Sequence, residues 1–276
     1  MSTEDIQDEP YEHGEPQPWR FTIWHSVGLM VLLGILQAWI YFALSRAGRI
    51  DLKELSWMHV ALINGISGVI TAWAGATLNN YSIPDVLGAG RIELSEAFSA
   101  LLAILGVSIL SSELNNLLQW IAPIGGIDMS DNFMKENLMG VLFTVSLVAP
   151  VLEETIFRGI ILDGLRKSYR LQTAILVSAA LFALVHVHPY LMINAFFLGL
   201  LFALIRLRTG SLVLCMLIHG LYNSIPFLLT RVVSIEIPGY TPFSGGAVQF
   251  QPLWFNALGL ALTGIGLAGL RFASRP

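Results

Sequence analysis

FTIWHSVGLMVLLGILQAWIYFAL, residues Phe21–Leu44, holds twenty-four residues without one Asp, Glu, Lys or Arg. At about 1.5 Å per residue such a helix reaches about 36 Å, more than the roughly 30 Å hydrocarbon core of a bilayer. Similar runs follow at Trp57–Leu78, Ala97–Ile121, Asn137–Pro150 continuing into Val151–Leu165, Thr173–Val187, Tyr190–Ile205, Leu212–Leu229 and Leu253–Leu270. They predict about eight transmembrane helices. Backbone groups in lipid must be satisfied within their own segment, and runs of this length are not barrel strands, so the expected fold is an all-α, polytopic integral membrane protein.

Composition agrees. The chain of 276 residues is 55% hydrophobic and only 12% charged, about half the charge of a soluble domain. The net charge of −4 and the lack of a basic patch exclude nucleic acid as a partner. Residues 1–20 are acidic and contain proline, without the basic start and short apolar run of a cleavable signal, and read as a solvated, disordered tail. Residues 21–276 read as one membrane domain. With eight crossings, nine basic residues fall on the side of the termini and five on the other, which predicts an inner (plasma) membrane protein with both termini cytoplasmic. Cys215, the single cysteine, lies in an apolar run and reads as a packing residue. His25 and His59 read as hydrogen-bonded packing residues too.

Against this background LVAPVLEETIFRG, Leu147–Gly159, is costly. An ionised side chain at mid-membrane costs about 2.5–3.5 kcal/mol, so Glu153, Glu154 and Arg158 need a reason. Pro150 predicts that one helix ends near Ala149 and another begins near Val151, with both glutamates in the new first turn, where the helix dipole favours acids. Glu154 and Arg158 are four residues apart, the spacing of an ion pair on one face. Glu153 points about 100° away, so the arginine cannot serve both. One glutamate is neutralised and the other left available.

Partners for it come from later runs. About the turn at Ser168–Leu171, His186 is level with Glu153 on the next helix. His219 and Asn223 share a face of a later helix at similar depth, and Gly199 is level with His219. Three motifs therefore stand in order: Glu153-Glu154-x-x-x-Arg158, Phe182-x-x-x-His186 and His219-x-x-x-Asn223. This pattern resembles the CAAX prenyl protease and bacteriocin-processing (CPBP) family of intramembrane proteases, which includes type II CAAX endopeptidases and bacterial Abi proteins. The likeness covers roughly residues 137–225, the expected catalytic core.

The resemblance implies an intramembrane glutamic endopeptidase acting on a membrane-associated, possibly prenylated, peptide or protein. In that reading Glu153 activates a water with the help of His186, His219 and Asn223 hold the oxyanion, and Glu154 and Arg158 support the site. A carboxylate shielded from bulk water can serve as a base near neutral pH. No cofactor is expected. Zinc on Glu153, His186 and His219 is chemically possible, but H-E-x-x-H is absent and the resemblance is to glutamate-dependent enzymes. Two other readings compete. Gly65-Ile66-Ser67-Gly68 spells the G-x-S-G of rhomboid-like serine proteases, although small residues in membrane helices usually serve packing. A non-catalytic scaffold or immunity protein of the same fold is the second.

Overall fold

The computed structural model describes residues 20–48, 56–88, 90, 92–123, 137–241 and 248–272. The acidic tail expected over residues 1–20 therefore lies almost wholly outside the described residues. The protein is an all-α, polytopic membrane protein; among the described residues the only extended pairing is an isolated bridge between Ile237 and Thr241. The helices are α1 (Ile23–Arg46), α2 (Trp57–Asn79), the short α3 (Ile83–Leu87), α4 (Leu94–Ile121), α5 (Leu138–Leu165), α6 (Leu171–Leu184), α7 (Pro189–Thr209), α8 (Leu212–Val233) and α9 (Leu253–Phe272). Among the described residues seven are long and apolar enough to cross a membrane; α6, with 14 residues, is the shorter apolar member. The eight expected runs thus appear as seven long helices and one short one.

Capping is where the sequence acts most locally. Thr22 and Ser56 cap α1 and α2, and the residues three positions on, His25 and His59, close capping boxes by accepting through Nδ1 from the cap N–H groups at 2.9 and 3.3 Å. The two lone histidines are thereby spent on helix starts. Cys215 is buried beside the carbonyls of Phe202 and Ser211.

Two features, one of α5 and one of α6, depart from expectation. The helix does not break at Pro150. Leu142, Val148 and Glu154 all keep right-handed helical angles, and the chain runs unbroken through π-helical turns at Phe143–Val148 and Thr155–Leu162. Widening the turn ahead of the proline shifts the hydrogen-bond register, so the ring is accommodated without ending the helix. The glutamates accordingly occupy the α-helical stretch Ala149–Glu154 between two π turns, not the first turn of a new helix. The second departure concerns α6, which ends at Leu184, leaving His186 in the turn beyond it instead of on the helix.

The G-x-S-G stretch packs α2 against α5. Ser67 is fully buried and its hydroxyl donates to Ile63 O on its own helix at 2.7 Å, while a Cβ on Gly68 would lie 2.9 Å from the Leu152 side chain. A close glycine seam also joins α4 to α9. A Cβ on Gly266 would fall 2.4 Å from the Ala103 backbone nitrogen, and one on Gly106 would fall 2.4 Å from the Thr263 nitrogen. Small residues let membrane helices approach to this degree. Gly266→Ala pushes against backbone that cannot move aside, so we expect it to cost about 1–3 kcal/mol, read as a lowered Tm in detergent.

The segment between α8 and α9 is tied to a polar stripe of α4. Gly239 O accepts from Asn116 Nδ2 at 2.7 Å and from the Ser112 hydroxyl at 3.0 Å, and Glu113 accepts from the Gln251 N–H at 2.9 Å and from Asn256 at 3.1 Å. Tyr240 bonds Ser108 at 2.8 Å, and burial pushes its phenol above the ordinary range, so it remains a neutral hydroxyl at working pH. At the other end Arg206, one of the bases expected in a loop, is buried in α7. It pairs with Asp163 at 2.6 Å and donates to Leu87 O at 3.1 Å, Val86 O at 3.3 Å and Gly210 O at 2.8 Å. This clips α3 to the α7–α8 turn.

Candidate active site

The site begins with an arginine that has no access to water. Arg158 and Glu154 are both 0% exposed, and Arg158 Nη1 donates to Glu154 Oε1 at 2.9 Å. The spacing of four residues puts the pair on one face of α5. The guanidinium lies over the Phe182 ring of α6 at 4.3 Å and near the Phe202 ring of α7 at 5.1 Å, and Nη2 reaches Gly199 O at 3.4 Å. Aromatic faces suit a desolvated cation. Gly199 itself serves packing: a Cβ there would fall 2.9 Å from Ala179 Cα, so the glycine sets how closely α6 and α7 meet.

A third helix completes the cluster. His219 of α8 is buried, stacked on Phe202 at 4.8 Å, with its Nδ1 2.7 Å from the same Glu154 Oε1. A carboxylate held by Arg158 is an acceptor, so His219 Nδ1 carries the proton and donates. That fixes the ring and turns Nε2 toward Glu153, whose Oε2 lies 3.7 Å away. The gap is too long for a direct hydrogen bond and short enough for one oxygen atom to bridge. Glu153 is 29% exposed, against 0% for Glu154. The adjacent acids therefore differ sharply in setting: Glu154 is buried and bonded through Oε1 to both Arg158 and His219, and Glu153 is part-exposed beside an imidazole.

His186 and Asn223 are each bonded to a backbone carbonyl. Among the described residues no hydrogen bond or ion pair joins His186 to Glu153. Its Nδ1 donates to Phe182 O at 2.8 Å and its ring meets the Phe182 edge at 4.9 Å. Phe182 touches His219 as well, at 5.8 Å, so one aromatic ring separates the two histidines. With Nδ1 spent on a carbonyl, His186 keeps Nε2 as an acceptor. Asn223 Nδ2 donates to Val145 O on α5 at 2.8 Å, leaving its second N–H.

Residues 135–225 match the family described as "Type II CAAX prenyl endopeptidase Rce1-like". This segment is similar to the Rce1-like family. The matched stretch is about a third of the chain and contains every residue of the cluster. The chain is also similar to an uncharacterised 24.3 kDa protein of Escherichia coli, 34% identical over 83 residues, which cover 28% of this chain and 38% of that protein. The chain thus spans less than half the length of that relative. No solved structure matches it.

Within the Rce1-like segment the donor set can be tested for a metal. Among the described residues no group of three His, Cys, Asp or Glu side chains is placed to hold an ion. His186 lies across Phe182 from the others, and Glu154 and His219 are committed to each other, so these side chains do not fit a zinc site. Phe202 and the His219–Glu154 contact were not legible in the motifs. Phe202 sits one residue from no charged group in sequence, and only the packing of α7 against α5 and α8 reveals it.

Proposed function

We propose that this protein is an intramembrane endopeptidase in which Glu153 acts as the base. Water placed between Glu153 and His219 gives a proton to Glu153 as its oxygen attacks a peptide carbonyl. The C–N bond then breaks, and the departing amine takes a proton from Glu153, with His186 Nε2 able to exchange protons at the edge of the cleft. The tetrahedral oxyanion formed by that attack, before the bond breaks, is met by the second N–H of Asn223 and lies beside His219, whose ring Glu154 orients. Glu154 and Arg158 do not touch substrate; they fix the His219 ring.

The observation that carries this reading is the asymmetry of the two acids. Glu154 is buried and doubly bonded, while Glu153 is part-exposed, 3.7 Å from a histidine nitrogen with an oriented tautomer. A buried scaffold has no need to leave one carboxylate of an adjacent pair unbound in a low-dielectric setting, whereas general-base chemistry does. The Rce1-like match supports the same class. The substrate is a membrane-associated or lipidated peptide reaching the cleft from the bilayer, and the termini lie on the cytoplasmic side of the inner membrane.

The test is cleavage by membrane fractions carrying wild type or Glu153→Gln, offered prenylated and unlipidated peptide panels. We expect processing with wild type and its loss with the variant at equal protein level. Processing that survives the substitution removes the base assignment. Wild type that cleaves nothing, with no change in the membrane peptidome on deletion, favours the scaffold reading.

A further inference from the structure

Pro150 has no N–H, and the turn before it leaves carbonyls that need one. The rung closing that turn runs from the Ala149 N–H to Thr144 O, a step of five residues. The next rung of the same kind would run from residue 150 to Val145 O, and an ordinary α rung would run from residue 150 to Ser146 O. Proline supplies neither.

Both carbonyls meet α8 instead. Asn223 Nδ2 donates to Val145 O at 2.8 Å. Gly220 approaches so closely that a Cβ on it would lie 2.3 Å from Ser146 O. Ser224 Oγ lies 2.6 Å from Gly220 O and 2.7 Å from Ser146 Oγ. Residues 220, 223 and 224 share one face of α8, with His219 beside it. The bond from Asn223 to α5 and the contact of His219 with Glu153 and Glu154 are successive rungs between the same two helices.

We propose that Asn223 has a positioning role besides the one given to its second N–H: its other amide N–H replaces the N–H that Pro150 lacks, and so holds α5 in the register that sets Glu153 against His219. A helix that must keep a proline three residues before its functional acid then borrows its missing rung from a neighbour. The activity arm of this proposal rests on Glu153 as the base; the stability arm does not.

The experiment is a double-mutant cycle on purified full-length protein in detergent: Asn223→Ala, Pro150→Ala and the two combined. An unmet backbone carbonyl between helices is expected to lower Tm by about 5 °C in Asn223→Ala. Cleavage should lose kcat with KM nearly unchanged, since the base moves while the substrate's binding surface does not. Adding Pro150→Ala returns a backbone N–H to the rung, so the double variant should regain most of the lost Tm and the part of kcat lost through register, while the oxyanion N–H stays missing. An oxyanion role alone predicts no such recovery of Tm, and melting losses that simply add overturn the proposal. If Pro150→Ala is not produced, Pro150→Ser restores the same N–H and replaces it. Should Glu153→Gln leave cleavage intact, the functional reading falls alone, and coupling of 150 to 223 in the melting cycle still decides this one.

Discussion

Glu153→Gln is expected to lower kcat by about 10²–10⁴-fold, the usual range for removing a positioned base, and to leave the melting temperature where it is. Glu153 is part-exposed and lies 3.7 Å from His219 Nε2. An isosteric amide there removes a proton acceptor and little else. The identical change one residue on should fail differently. Glu154→Gln leaves the Arg158 guanidinium buried with no counter-charge and offers Arg158 and His219 only a neutral amide oxygen where both bonded one carboxylate oxygen. Thermal unfolding and cleavage measured side by side on both variants separate the roles. Equal loss of Tm at both positions would show that Glu153 is a second structural acid.

The second large effect belongs to Arg158. Arg158→Ala strands the Glu154 carboxylate, 0% exposed, whose Oε2 already has no hydrogen-bond partner among the described residues. Breaking a buried pair by removing one member costs about 3–5 kcal/mol, and the contacts with Phe182 and Phe202 are lost as well. We expect poor accumulation in membranes and a steep fall in Tm. Arg158→Lys should not rescue it, because an ammonium cannot lie flat between two rings while bonding both Glu154 and Gly199 O. Glu154→Gln combined with Arg158→Met removes both charges and should recover much of the stability without the activity. Melting curves of the three variants check the order; a stable Arg158→Ala would mean that Glu154 is not held ionised by the arginine.

What could be read from the chain follows the range of the forces involved. Apolar runs such as Phe21–Leu44 are local and decide helix and membrane by length. The pairing of Glu154 with Arg158 is local also, fixed by one turn of helix. Pro150 shows the limit. Local rules end a helix there, but α8 brings Asn223 and Gly220 to the exposed carbonyls, and the helix continues. His186 shows another. Equal depth on a hairpin does not fix the direction in which a side chain points, and α6 stops two residues early, so the ring turns back to Phe182 O. Arg206 falls just past the expected run Tyr190–Ile205 and so counts as a loop base in the sequence. It is buried because Val86, Leu87 and Asp163 supply acceptors from elements far away in sequence.

The ion pair inside α5 bears on how the protein is made. Glu154 and Arg158 belong to one helix and find each other as soon as it forms, before α7 or α8 has been synthesised. Their charges cancel within a single hairpin-sized segment, so α5 can leave an aqueous insertion channel for lipid carrying a dipole in place of two bare ions. His219 arrives three helices later and docks on a carboxylate already held in place. The order of synthesis thus matches the order of need, with the internally compensated acid inserted first and its histidine partner delivered last.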